Sequence, residues 1–340
     1  MISAQDLAAI VRQSLVESLD TAEELSSTGL EASSRLELLR DSTAEIAGFG
    51  PLQQFLDDPE VEELWFNQPD LIMCARPGGV TQHPCRLPIT QIEAIVQRML
   101  IGTARRIDRL NPFVDATLPD GSRLHVVAPP ITRLNWLVNI RKFPSQTWRL
   151  SRLEALGSIS PQQHAQLAAS VASGSTILVS GPTHAGKTSL LTALVAELDP
   201  QKRVVSVEDT LELRLANPDW AAMQTRTVAT EAAHVIDLRR LVRESLRMRP
   251  DALLVGEVRG AEALDLLIAV NSGIQAFGTI HANSARQALE KFALLASMAE
   301  KNLDFETALG LVRGSVSAVV QLGFIQGRRA LIEILEVSGS

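Results

Sequence analysis

The sequence predicts an α/β protein whose C-terminal half is a mainly parallel sheet with interleaved helices, preceded by a smaller α+β domain and N-terminal helices. Three observations carry that reading. From Ser160 onward, short aliphatic runs alternate with amphipathic helical stretches in the βαβ manner. Between about 50 and 144, short extended pieces and helices are densely mixed and punctuated by turn residues. Within the C-terminal half, Ser175 to Leu191 reads STILVSGPTHAGKTSLL, a strand, a glycine loop and a helix in immediate succession.

Along the chain, residues 1 to 45 read as helices, with Leu7, Ile10, Val11, Leu15 and later Leu36, Leu38, Leu39 at helical spacing. Such a segment packs as an arm or binds a partner. Gly48-Phe-Gly-Pro51 breaks the pattern, and a short helix over Leu52 to Leu56 ends at Asp57-Asp-Pro59. Strands follow at Val61 to Trp65 and Leu71 to Cys74, then a turn at Pro77-Gly-Gly79. Thr90 and Glu93 have capping-box spacing ahead of an amphipathic helix, Gln91 to Ile101. Extended pieces at Phe113 to Leu118, Arg123 to Ala128 and Trp136 to Phe143 complete the α+β domain, 46–144. A linker is expected over 145–159, on the breaker and polar residues of Pro144 to Trp148.

The domain 160–340 opens with Ser160-Pro161, an N-cap followed by proline at the first helical position. Strands are expected at Thr176 to Val179, Arg203 to Val207, Ala252 to Val255 and Ala276 to Ile280. Between and after them lie helices at Leu190 to Leu198, His234 to Met248, Ala261 to Val270, Ser284 to Ala299 and Asp304 to Arg313. An antiparallel pair, Val316 to Leu322 and Ala330 to Val337, closes the sheet at one edge around Gln326-Gly327.

Composition narrows the function. A chain of 340 residues, 46% hydrophobic and 21% charged, has the balance of an ordinary globular protein. A net charge of −7 supplies no overall basic field for nucleic acid. Cys74 and Cys85 form no C-x-x-C pair and indicate neither zinc nor a disulfide framework. Asp6 and the lack of a long apolar run argue against a signal peptide, and no run of about 18 apolar residues suggests a membrane span.

The glycine loop identifies a nucleoside triphosphate site. Gly181, Pro182, Thr183, His184, Ala185 and Gly186 turn backbone N–H groups towards phosphate, Lys187 reaches the β- and γ-phosphates, and Thr188, followed by Ser189, ligates Mg²⁺ at a helix N-terminus. In a parallel sheet ligands gather at the carboxyl ends of strands, and three polar clusters sit at such ends. They are Glu208-Asp209, Gly256-Glu257-Val258-Arg259 and His281-Ala282-Asn283. Phosphoryl transfer to water needs a held Mg²⁺, an oriented water and cations facing the developing charge. Glu257 can polarise water or hold the Mg²⁺ network, Glu208 or Asp209 can add a second carboxylate, His281 can sense the γ-phosphate, and Arg259 is a cation beside them. Each acid could instead merely cap the next helix.

The segments VVSVEDTLEL (Val204 to Leu213), LRMRPDALLVGEVRGAEALD (Leu246 to Asp265) and GTIHANS (Gly278 to Ser284) resemble the Asp box, Walker B segment and His box of the secretion and type IV pilus motor ATPases. GFGPLQQFLDDPEVEELWFNQPD, NPFVDATLPDGSRLHVVAPP and NIRKF extend the likeness across residues 46 to 338, most closely to the Tad/Flp pilus assembly branch. The resemblance implies a RecA-like C-terminal domain with ATP and Mg²⁺ lying between it and the N-terminal domain. It also implies a homohexameric ring, arginine fingers at Arg123 and Arg141, and docking on inner-membrane platform proteins from the cytoplasm. Such a ring would meet the membrane only through those partners.

This chain departs from the family pattern in four ways. His184 and Ala185 stand where the family commonly has glycine and a small residue, and Ile274 where it often has histidine. Leu253-Leu254-Val255-Gly256-Glu257 lacks the usual Walker B aspartate, which throws more demand on Glu257. The four-cysteine zinc insert of some relatives is missing. Two further readings stay open: a nucleotide-gated scaffold with little turnover, prompted by His184, and a nucleic-acid translocase, prompted by Arg239, Arg240, Arg243, Arg247 and Arg249. Glu244 near that run and a chain without tyrosine weigh against the second.

Overall fold

The computed structural model describes residues 48–103, 105–142, 148–226 and 235–337. The helices expected in residues 1 to 45 lie outside them. The chain divides into two compact units, one ending at Pro144 and the other beginning at Ser145.

In the first unit β1 (Glu63–Gln68), β2 (Leu71–Arg76), β3 (Gly79–Pro84), β4 (Phe113–Thr117), β5 (Arg123–Val127) and β6 (Leu137–Arg141) form one antiparallel sheet in the order β3-β2-β1-β6-β5-β4. Strict alternation makes it two-faced. On β5, Leu124 and Val126 are buried while Arg123 and His125 are exposed. The apolar face meets α2 (Ile89–Leu100) through Ile92, Ile95, Val96 and Met99. A short helix, α1 (Gln53–Asp57), adds Phe55 to the same core. β3 was not anticipated because nearly every residue in it is exposed, so it shows no apolar alternation. It exists as an edge strand turned onto β2 by Gly78 and Gly79.

Two expectations need correcting. The Thr90–Glu93 capping box does not form: α2 begins at Ile89 with Pro88 as N-cap and no side-chain cap bond. Thr90 is therefore already inside the first turn, where its hydroxyl cannot serve as the cap acceptor. The stretch 145–159, expected as a linker, contains α3 (Leu150–Ala155). Its Leu150 and Leu153, with Ile159 beyond it, are buried in the core of the second unit. The proline and polar residues just before it masked an i, i+3 apolar pair.

In the second unit β7 (Ile177–Ser180), β8 (Val204–Glu208), β9 (Trp220–Gln224), β10 (Ala252–Val255), β11 (Gln275–Ile280), β12 (Ala318–Ile325) and β13 (Arg328–Glu336) are ordered β13-β12-β7-β11-β10-β8-β9. All neighbours are parallel except β12 and β13. Alternate residues of the central strands feed two cores. Leu178, Val205, Leu253 and Ala276 pack with α6 (Leu238–Ser245), α7 (Glu262–Asn271), α8 (Ala285–Met298) and α9 (Phe305–Ser315). Ile177, Val204, Ala252 and Phe277 pack on the opposite face with α3, α4 (Pro161–Ala172) and α5 (Lys187–Val195). Covering on both faces is why these strands read as continuous apolar runs. Ser160 caps α4 in a reciprocal capping box with Gln163, and Ser284 and Asp304 cap α8 and α9. The sequence reading missed β9, a half-exposed edge strand whose Trp220 donates its indole N–H to Ser206 Oγ at 2.9 Å.

Candidate functional site

Strand order alone sets the site. β7, β11, β10 and β8 are consecutive neighbours, so the loops leaving their carboxyl ends stand side by side. These loops hold Gly181 to Gly186, His281, Glu257 and Glu208-Asp209 respectively.

The loop Gly181 to Gly186 has three unusual backbone positions. Gly186, the N-cap of α5, takes φ +92°, a region that suits glycine. A Cβ on Gly181 would stand 2.8 Å from the Leu322 carbonyl oxygen, so the loop starts hard against β12. His184 has φ +61°, the left-handed conformation, and its carbonyl oxygen accepts from Arg329 Nε at 2.8 Å. Ala185 is buried, whereas Pro182, Thr183 and His184 are exposed. Lys187 is the first residue of α5, with Thr188 and Ser189 in the same first turn, where backbone N–H groups lack helical partners. Lys187 Nζ donates to the carbonyls of Gly181 at 3.1 Å and Pro182 at 2.8 Å.

From Lys187 a continuous polar chain crosses the three strand-end clusters. Lys187 Nζ lies 3.3 Å from His281 Nδ1, and His281 Nε2 lies 3.3 Å from Glu257 Oε1. Glu257 Oε2 accepts from Arg259 Nη2 at 2.6 Å, and Arg259 Nη1 reaches Asp209 at 3.6 Å. The ammonium has only protons to offer, so Nδ1 of His281 accepts and its proton sits on Nε2, facing the carboxylate. Burial and the Lys187 charge hold the His281 pKa below its usual value, against the pull of Glu257, so the ring is neutral near pH 7. Burial pushes Glu257 up, but the hydrogen bond and charge of Arg259, with His281 and Lys187, bring it below the ordinary carboxylate value. Arg259 is raised chiefly by its bond to Glu257.

Glu208 is placed differently from its neighbour Asp209. It is 2% exposed, beneath Gly256, and its Oε2 accepts the backbone N–H groups of Glu212 at 2.8 Å and Leu213 at 2.9 Å. Its Oε1 has no hydrogen-bond partner, and burial pushes its pKa up to about 7. Asn283, in the loop after β11, precedes the α8 cap Ser284.

Arg123 and Arg141 belong to the first unit, where the register pairs them directly across β5 and β6, on the solvent face of the sheet. Asp115 lies 3.6 Å from Arg123, and Glu63 is paired with Arg141 on the other side. The same face continues as a shallow cavity of about 410 Å³ lined by Trp65, Asn67, His125 and Asn139.

Sequence reasoning missed four residues that support the site. Thr279 Oγ1 donates to the Gly256 carbonyl at 2.6 Å, Glu262 Oε1 accepts from the N–H groups of Arg259 and Gly260, and Lys291 Nζ donates to the His281 carbonyl at 2.8 Å. Thr279 and Glu262 lie inside the recognised boxes and could have been weighed. Lys291, ten residues beyond His281 on the next helix, and the fourth, Arg329, 145 residues from His184, are marked by no local pattern. The arginine run is largely structural: Arg239 and Arg243 both donate to Asp265, at 2.8 and 2.6 Å, and Arg247 pairs with Glu244.

Residues 45–323 match the family described as "Type II/IV secretion system protein". A putative conjugal transfer protein of Mycobacterium tuberculosis is 32% identical over 305 residues, covering 87% of this chain and 86% of the relative. The type IV secretion system protein PtlH of Bordetella pertussis is 31% identical over 319 residues, covering 84% and 92%. Two solved structures share the fold at a TM-score of 0.61. The pilus retraction motor PilT with bound ADP is 18% identical, with 84% of this chain and 82% of that one covered. The ATPase DotB of Legionella pneumophila is 16% identical, with 84% and 80% covered.

Proposed function

The chain belongs to the type II/IV secretion system protein family, and on that premise we propose that it is an ATPase working as a homohexameric ring, hydrolysing Mg-ATP at the Gly181–Ser189 loop to drive a pilus or secretion apparatus. Its place would be the cytoplasmic face of the inner membrane, reached through platform proteins of that membrane; no described helix is long and apolar enough to cross it. Relatives named for conjugal transfer and type IV secretion support this, and the Tad/Flp branch is the pilus lineage that the N-terminal motifs favour.

The observation that carries the proposal is the unbroken chain Lys187–His281–Glu257–Arg259–Asp209. Lys187 exchanges the Gly181 and Pro182 carbonyls for phosphate oxygens, and the first-turn N–H groups receive the same anion. Thr188 and Glu257 are hard oxygen donors of the kind Mg²⁺ takes alongside phosphates and water, and the unpartnered Oε1 of Glu208 is a third. Held by these oxygens, Mg²⁺ would supply positive charge against the phosphates. Glu257, held ionised by Arg259, orients the attacking water rather than storing its proton. His281, neutral with its proton on Nε2, connects that carboxylate to the phosphate-binding lysine. Arg259, Arg123 and Arg141 supply cations for the transition state.

Steady-state phosphate release with Mg-ATP tests this. Lys187→Ala and Glu257→Gln should each lower turnover by about a hundredfold or more. Full hydrolysis by either variant would overturn the site. Tight ATP binding without turnover by the assembled wild type would favour the nucleotide-gated scaffold instead.

A further inference from the structure

The hairpin of β12 and β13 lies against the start of the phosphate-binding loop and against the neighbouring loop after β11. The Leu322 carbonyl stands 2.8 Å from where a Gly181 Cβ would be, and Gln321 Nε2 donates to the Ala282 carbonyl beside His281 at 3.4 Å. Farther along the hairpin, on β13, Arg329 reaches the middle of the phosphate-binding loop. Its Nε donates to the His184 carbonyl at 2.8 Å, and its Cδ would lie 3.8 Å from a Cβ on Gly186. The two residues are 145 positions apart in the chain.

We propose that Arg329 is a positioning residue of the nucleotide site, clamping the His184 carbonyl and so holding the loop in the shape that presents Lys187 to phosphate. The proposal rests on the reading of this loop as the ATP site. His184 adopts a left-handed backbone, φ +61°, that side chains with a Cβ disfavour. A planar trans peptide joins its carbonyl to the Ala185 N–H, so pinning the oxygen fixes the direction of that N–H. The Ala185 nitrogen lies 3.4 Å from the Pro182 carbonyl, which also accepts Lys187 Nζ at 2.8 Å. The clamp therefore acts through one peptide and one shared carbonyl on the lysine. It also accounts for histidine where a glycine would adopt the turn unaided: the hairpin supplies the restraint that the residue type lacks.

Titration calorimetry of the full chain with Mg²⁺ and a non-hydrolysable ATP analogue, alongside melting temperatures, tests the clamp. Arg329→Ala should weaken binding by about fivefold or more, with the melting temperature shifted by no more than about 2 °C. Arg329→Lys, which keeps one donor on a long stem, should recover at least half of the lost affinity on a logarithmic scale. His184→Gly placed in the Arg329→Ala background should restore affinity to within about twofold, because glycine holds the left-handed turn without a clamp. A hairpin that merely packed would lose stability and would not respond to His184→Gly. Wild-type affinity in Arg329→Ala, or no rescue by His184→Gly, overturns the proposal. Lys187→Ala serves as the control: if it loses binding while Arg329→Ala does not, only the clamp fails, whereas unaltered binding in Lys187→Ala sinks both the loop assignment and the clamp.

Discussion

Glu208 holds an ionisable carboxyl at 2% exposure, where burial outweighs the two backbone N–H groups that favour its charge and raises its pKa from 4.5 to about 7. The folded protein thus binds a proton more tightly than the unfolded chain does. That contribution to stability is complete below pH 4.5 and is lost as pH rises through about 7. Over that window the loss amounts to about 3 kcal/mol, at roughly 1.4 kcal/mol per pH unit. Glu208→Gln cannot titrate, so its unfolding free energy relative to wild type, measured in EDTA without nucleotide, should improve by about that much between pH 5 and pH 8. A difference independent of pH would mean that Glu208 is not held as the geometry describes. Such a residue anchors the loop Asp209 to Leu213 through its two backbone contacts, a use that its place beside Asp209 in the sequence did not reveal.

Among the elements, α6 shows how a charged helix is committed to the fold. Asp265 of α7, 3% exposed, receives both Arg239 and Arg243, and Arg239 continues to Glu300 and the Ala299 carbonyl at the end of α8. One buried carboxylate therefore joins three helices. Asp265→Ala removes two charge-assisted hydrogen bonds and should lower the unfolding free energy by about 2–3 kcal/mol in denaturant. Arg243→Ala should cost under about 1 kcal/mol, since that side chain is half exposed and Arg239 remains. Equal costs for the two would contradict the shared-anchor arrangement.

At the level of the whole molecule, two compact units carry complementary parts of the proposed chemistry. The second holds the phosphate loop and its carboxylates; the first presents Arg123 and Arg141 side by side on a sheet face. If both serve one reaction, Arg123→Ala and Arg141→Ala should each lower kcat by about a hundredfold while leaving nucleotide affinity within a few fold. Specific activity of the wild type should rise with protein concentration as copies assemble, followed by light scattering. Turnover independent of concentration, or kcat unchanged in both variants, would leave the arginines without a catalytic part.

The sequence alone marked most of the strands and helices, a break near residue 144, and the glycine loop and three strand-end clusters that we propose form the nucleotide site. Each of these is local: a run of apolar residues, a cap, a glycine spacing, a polar residue placed by where its strand stops. It did not show β3 or β9, whose exposed edge positions carry no hydrophobic period, or α3, hidden behind a proline and polar residues. Only the tertiary structure decided that Glu208 points inward while Asp209 and Glu257 share Arg259, and that Arg239 and Arg243 meet on Asp265. It alone placed Arg329 on a loop 145 residues away. These are matters of strand order and sheet register, which bring distant side chains within hydrogen-bond reach, and no local pattern in the chain encodes the distance between two segments that meet only when the sheet closes.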